Sequence, residues 1–244
     1  MDLVVLALGR SLANLRVSRV WLYLLLPALA SLLLSMVLGF SALGWLVGQL
    51  LEFPPMTLLV AWGLVWLANL LAWLGGWMAL FALAYLFALL IAAIVIMPLM
   101  LKHLAETEYR DLAAMGKDSF VAAAVNSVLA SILFVVAWLV TIPLWLIPGM
   151  SLFIPMLLMA WLNRRTFAYD ALSMHATEAE WDSLRRQHKT PLFMLGLVMA
   201  LLAHVPVLGL LVPALAALAF VHYGLEALRR SRGDAIVSIQ GERL

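Results

Sequence analysis

The sequence predicts an all-α integral membrane protein: two long transmembrane helices, then two proline-broken helical hairpins that partly or fully enter the bilayer. Three observations carry that expectation. The chain is 66% apolar and 11% charged, with a mean hydropathy of +1.07, more than a water-soluble domain of this size carries on its surface. Residues 20–51, 53–101, 119–163 and 190–225 contain no Asp, Glu, Lys or Arg. The last two stretches share a pattern, Ile147-Pro148-Gly149-Met150-Ser151-Leu152-Phe153-Ile154-Pro155 and Val205-Pro206-Val207-Leu208-Gly209-Leu210-Leu211-Val212-Pro213.

Within residues 1–19, Val4, Val5, Leu8, Leu12 and Leu15 share one helical face, with Arg10, Asn14 and Ser18 opposite. That is the pattern of an interfacial helix; a disordered tail is the alternative. The apolar run at 3–8 precedes Arg10, Arg16 and Arg19, the reverse of a secretory leader, so this end is expected to stay on the protein. Residues 20–51 form the first crossing, since about 20 residues span a hydrocarbon core of roughly 30 Å.

Residues 53–101 are too long for one straight crossing. Gly75-Gly76 is the expected break, leaving 56–74 and a second transmembrane helix over about 77–101. Either both pieces cross, or the first folds in or lies along the interface. Short cytoplasmic loops carry the Lys/Arg excess. With a single crossing here, and hairpins that return to the side they left, all 15 Lys/Arg fall on one side and Glu52 alone on the other. That arrangement is favoured, and it puts both termini in the cytoplasm. Residues 102–118 read as the second crossing continuing into water.

Proline removes an N–H and clashes with the preceding turn. Pro148, Gly149 and Pro155 therefore mark a break in hairpin 119–163, and Pro206, Gly209 and Pro213 one in hairpin 190–225. The arms of the second hairpin have about 15 residues, roughly 23 Å, which is short of a full span. Broken backbone at membrane depth persists only when buried in protein or lining a wet cavity, so the hairpins are expected to meet each other or a subunit neighbour. Ordinary kinked crossings are the alternative. Between the hairpins, 164–189 is a cytoplasmic segment with Thr177 and Glu180 in capping-box spacing, and 231–244 is expected to be a disordered tail.

Two long crossings, a Pro-Gly hairpin, a polar segment near Tyr169-Asp170 and a closing Val-Pro-x6-Pro hairpin resemble the CysZ sulfate permeases and the etoposide-induced membrane proteins, over roughly residues 10–230. The resemblance implies an oligomeric bacterial inner-membrane protein, with sulfate entry as the activity of the best-known members. Three departures accompany it. Pro98-Leu99-Met100-Leu101-Lys102 lacks the Asn-Gly-like motif of those permeases, Trp21-Leu22 stands where they carry an Arg pair, and Val207-Leu208-Gly209 lacks an asparagine.

Sulfate or another small oxyanion needs positive charge and N–H donors. Arg16 and Arg19 are the first candidates, then Lys102 and His103; basic residues at a membrane edge also serve to fix topology and touch headgroups. His204, beside Pro206, is an intramembrane ionisable residue and hence a candidate, or a neutral histidine bonded to a carbonyl freed by the break. His222 is expected near the interface with Tyr223. No zinc-protease motif, nucleophile elbow or phosphate-cradling loop occurs, and His103-x-x-Glu106 lacks a third ligand. No enzymatic role, cofactor, metal or nucleic-acid partner is expected; the partners are the bilayer, the oxyanion and further copies of the chain. A non-transporting scaffold of the same fold, acting through proteins or lipids, is the competing reading.

Overall fold

Backbone polar groups inside a bilayer must be satisfied by the segment itself or by a closed barrel, and every regular element among the described residues is helical. The computed structural model describes residues 2–116, 120–147, 149–205 and 208–241. Helix α1 (Asp2–Asn14) is followed by α2 (Ser18–Ser41), α3 (Leu43–Glu52) and α4 (Met56–Ala61). Helix α5 (Val65–Ile91) passes through a π-helical turn, Ala92–Ile96, into α6 (Met97–Thr107). Then come α7 (Phe120–Thr141), a 3-10 turn (Ile142–Leu146), α8 (Met150–Ser173), α9 (Glu178–Gln187), α10 (Lys189–Ala203) and α11 (Leu208–Gly241).

Four segments are long and apolar enough to cross a membrane: Ser18–Ser41, Val65–Thr107, Val121–Trp145 and Leu208–Gly233. In the last, 72% of the apolar window lies inside the protein, against 28% in α2 and 22% in α7. Helix α11 is therefore the central post, and α2 and α7 give most of their surface to lipid or to a neighbour. Outward side chains such as Phe40, Leu33 and Val140 are apolar and exposed, as a lipid solvent requires.

The glycine pair does not break the second stretch. Helix α5 runs unbroken through Gly75-Gly76, and the chain turns instead at Gly63, where φ is 80°, a conformation that costs glycine nothing. Gly76 serves close approach: a Cβ there would stand 2.9 Å from Leu43 Cδ1 and 3.1 Å from Val47 Cγ2. Without one, α3 packs on α5 in a small cluster of Leu43, Val47, Ala72 and Leu80. From Val65 to Thr107 the helix has 43 residues, about 65 Å at 1.5 Å per residue. The π turn precedes Pro98: Met97 N–H reaches Ala92 O five residues back, a widening that accommodates the missing donor.

Both expected hairpins are antiparallel helix pairs, α7 with α8 and α10 with α11. Gly149 turns the first with φ 85°. Pro148 and Pro206 lie outside the described residues. Pro155 and Pro213 lie inside α8 and α11 rather than at the turns. Gly209 permits the second: a Cβ there would be 2.3 Å from Ala203 O. The hairpins meet along α8 and α10, where Gly196 rests on the backbone of Ala160, with a Cβ position 2.5 Å from its carbonyl oxygen. Asn163 ties this seam to α5, accepting from Tyr85 OH at 3.2 Å and donating to Gly196 O at 3.5 Å.

Three further expectations are corrected. Helix α1 buries Val4, Ala7 and Ser11 and exposes Val5 and Leu12: it docks on α11 through the side that carries Arg10 and Asn14, because polar partners wait there. Residues 164–173 prolong α8 instead of joining a separate polar segment, whereas α9 has the expected capping box, Thr177 with Glu180. Residues 231–241 continue α11 as helix.

Candidate functional site

A polar cluster of Arg10, Tyr109, Asp111, His222, Glu226 and Arg229 forms where α1, the loop after α6 and α11 converge. His222, Glu226 and Arg229 recur at i, i+4 and i+7 on α11, so they share one face. Arg10 Nη1 donates to Glu226 Oε2 at 2.9 Å and to Tyr109 Oη at 2.7 Å. His222 is fully buried within the protein. Asn14 Nδ2 lies 2.9 Å from its Nε2 and Tyr109 Oη 3.0 Å from its Nδ1. An amide nitrogen only donates, so Nε2 accepts and the ring proton on Nδ1 is given to Tyr109. Arg10 and Arg229 flank the Tyr109 ring at 5.5 and 4.6 Å. Burial raises the Tyr109 hydroxyl above its ordinary range, against the pull of Arg10.

A second set of bonds pins the loop and α9 to α11. Arg229 Nε donates to Asp111 Oδ2 at 2.8 Å and Nη2 to Glu108 O at 2.9 Å. Hydrogen bonding from Arg229 holds Asp111 below the usual carboxylate range. Arg232 Nε donates to Glu180 Oε1 at 2.8 Å, and its Nη atoms reach Ala113 O and His175 O. That guanidinium, helped by Thr177, lowers the Glu180 carboxyl to about 2. Beside these bonds a cleft of about 780 Å³ opens between Met115, Tyr169, Ser173, Thr177, Trp181 and Asp182.

The residues singled out in the sequence are elsewhere. Arg16, in the link between α1 and α2, and Arg19, in the first turn of α2, are exposed; neither has an ion pair or side-chain hydrogen bond among the described residues. Lys102 is exposed on α6 and His103 half-buried, and no bond joins any two of these four. His204 is exposed at the end of α10, with Nδ1 2.7 Å from Ala200 O; the ring donates to the carbonyl one turn back. His103 and Glu106 gain no third ligand: the described residues hold no cluster of three metal-ligating side chains.

Sequence reasoning missed Tyr109 and Glu226, read His222 only as a residue near the interface, and took Arg10 and Asn14 for the polar face of an interfacial helix. The spacing of His222, Glu226 and Arg229 at the end of an apolar stretch was the available signal. It also passed over Arg164, which lies 6.0 Å from the Phe193 ring. Burial, then repulsion from Arg185 and Arg165, lowers the affinity of Arg164 for its proton.

Four apolar helices of spanning length, one of them the polar-locked central post α11, define a multi-pass α-helical membrane protein. The family described as sulfate transporter CysZ/etoposide-induced protein 2.4 matches residues 7–213. The chain belongs to that family. No curated protein matches it.

Proposed function

We propose that the protein is a permease or channel of the bacterial inner membrane for sulfate or a related small oxyanion, with both termini in the cytoplasm. Membership of a sulfate-transporter family over most of the chain carries the reading. Within one chain the α8–α10 seam is closed, backbone against backbone at Gly196 and Ala160. The route therefore runs between copies of the chain, along the outward surfaces of α2 and α7, and the hairpins enter the bilayer as part of that assembly. Arg16 and Arg19, exposed and unpaired among the described residues, supply positive charge at its mouth; Lys102 and His103 are secondary contributors. No reaction is assigned to the protein.

One observation favours the scaffold reading: the seam between the hairpins is closed at Gly196 and Ala160, and Leu99-Met100-Leu101 after Pro98 has no polar side chain. Flux of radiolabelled sulfate into proteoliposomes separates the two. Saturable uptake above empty liposomes, reduced in an Arg16→Ala/Arg19→Ala double variant, is the expected result. Absence of flux from folded protein would leave the scaffold.

A further inference from the structure

Asp170 takes no part in the contacts described so far. It lies on α8 beyond the Arg164-Arg165 pair and is only 5% exposed, yet no protein group among the described residues donates to either carboxylate oxygen. Thr166, one turn earlier on the same helical face, is 0% exposed, and its hydroxyl also lacks a partner. The other acidic side chains of described burial are exposed or paired: Asp111 with Arg229, Glu180 with Arg232, Glu226 with Arg10.

A carboxylate shut away from water without donors or a counter-charge is strongly disfavoured, and such a group neutralises instead. Among the described residues, the elements packed on α8 offer no relief. Helix α7 has no titratable residue. Lys102 and Glu106 of α6 and Lys189 of α10 are exposed, and His103 is half-buried. On α11, His222 and Glu226 are bonded to Asn14, Tyr109 and Arg10, and the arginines to other acids. Burial alone pushes the Asp170 carboxyl up to about 8, with no neighbouring charge contributing.

We propose that Asp170, with Thr166 beside it, is a buried hydrogen-ion site: a carboxyl protonated and neutral at neutral pH that exchanges its proton with water when the helices around it part. The protonated form needs one acceptor for its hydrogen and no donor for its oxygens. The chemistry is transfer of one proton between carboxyl oxygen and water. Ionisable groups sequestered in membrane proteins mark proton relays and ion paths, and here the ligand is the hydrogen ion itself. This inference stands apart from the permease reading and survives its failure.

The test uses the full chain in lipid nanodiscs, treated with a hydrophobic carbodiimide, which reacts with protonated carboxyls, and read by peptide mass spectrometry. Asp170 should be modified at pH 6 and about tenfold less at pH 9, following its protonated fraction, while Asp111 and Glu180 stay unmodified at both. An infrared spectrum at pH 6 should show a protonated-carboxyl band that Asp170→Asn removes; this readout does not depend on entry of the reagent. An Asp170 that is unlabelled and shows no such band at pH 6, hence ionised and hydrated, would overturn the proposal. So would labelling at pH 6 that sodium abolishes at constant ionic strength, because the site would then take a metal cation.

Discussion

Tyr109 shows how one side chain joins three segments distant in sequence. Its oxygen receives hydrogen bonds from Arg10 of α1 and His222 of α11, and its ring lies between two guanidiniums. Tyr109→Phe keeps the ring contacts and strands the His222 Nδ1–H in a closed interior. Leaving a buried donor without a partner costs about 1–3 kcal/mol, so a fall in detergent thermal stability of that order is expected. Arg10→Ala removes the counter-charge of Glu226 instead. Arg10 is about one-third exposed, so the loss should lie near the about 1.5–3 kcal/mol of a charged hydrogen bond and not near the larger cost of splitting a fully buried pair. Hydrogen exchange should then report opening of α1 before the rest of the bundle.

At the scale of elements, the glycines separate two kinds of helix contact. A methyl at Gly196 meets the Ala160 carbonyl oxygen, main chain that cannot yield. Gly196→Ala should therefore cost about 1–3 kcal/mol as an overpacked contact, prise α8 from α10 and loosen the tie through Asn163. A methyl at Gly76 meets the ends of the Leu43 and Val47 side chains, which can rotate away. Alanine is favoured over glycine within a helix by about 1 kcal/mol, so Gly76→Ala should leave stability within about 1 kcal/mol of the parent. Parallel thermal melts of the two variants check the contrast; equal losses would mean that α3 is held as rigidly as the α8–α10 seam.

For the whole molecule, α11 and its arginines bind α9 and the loop after α6 to the bundle, and acid should release them. The Glu180 carboxyl is held at about 2 against an ordinary 4.5, first by the Arg232 hydrogen bond. A lowered carboxyl contributes stability that is present above its ordinary range and lost as pH falls from about 4.5 towards about 2. Arg232→Gln should reduce the melting temperature at pH 6 and flatten its decline across that acid window. A decline as steep as the parent's would assign acid lability to another carboxylate. Asp170 acts with the opposite sign: with its pKa raised from 3.8 to about 8, its contribution is full in acid below that range and is lost as pH rises across it, so Asp170→Asn should flatten the profile between those two values.

Much of the fold was legible in the sequence because hydropathy is a local property. The charge-free stretches at 20–51, 53–101, 119–163 and 190–225 mark the apolar helices, and Gly149 and the Thr177–Glu180 capping box act within a turn of their own positions. The breaks were harder to read. Glycine lowers helix propensity in any context, and only the close approach of α3 explains why Gly75-Gly76 stays helical while Gly63 bends. The polar core was hidden for the same reason. Tyr109 stands 99 residues after Arg10 and 113 before His222, and nothing within a turn of any of them announces the others. The sequence by itself determined that this protein lives in lipid as helices, since transfer of apolar side chains out of water depends on composition. Tertiary structure alone decided which charges pair, which glycines admit a neighbouring helix and which carboxyl is left alone, because hydrogen bonds and close packing depend on distances that only the folded chain sets.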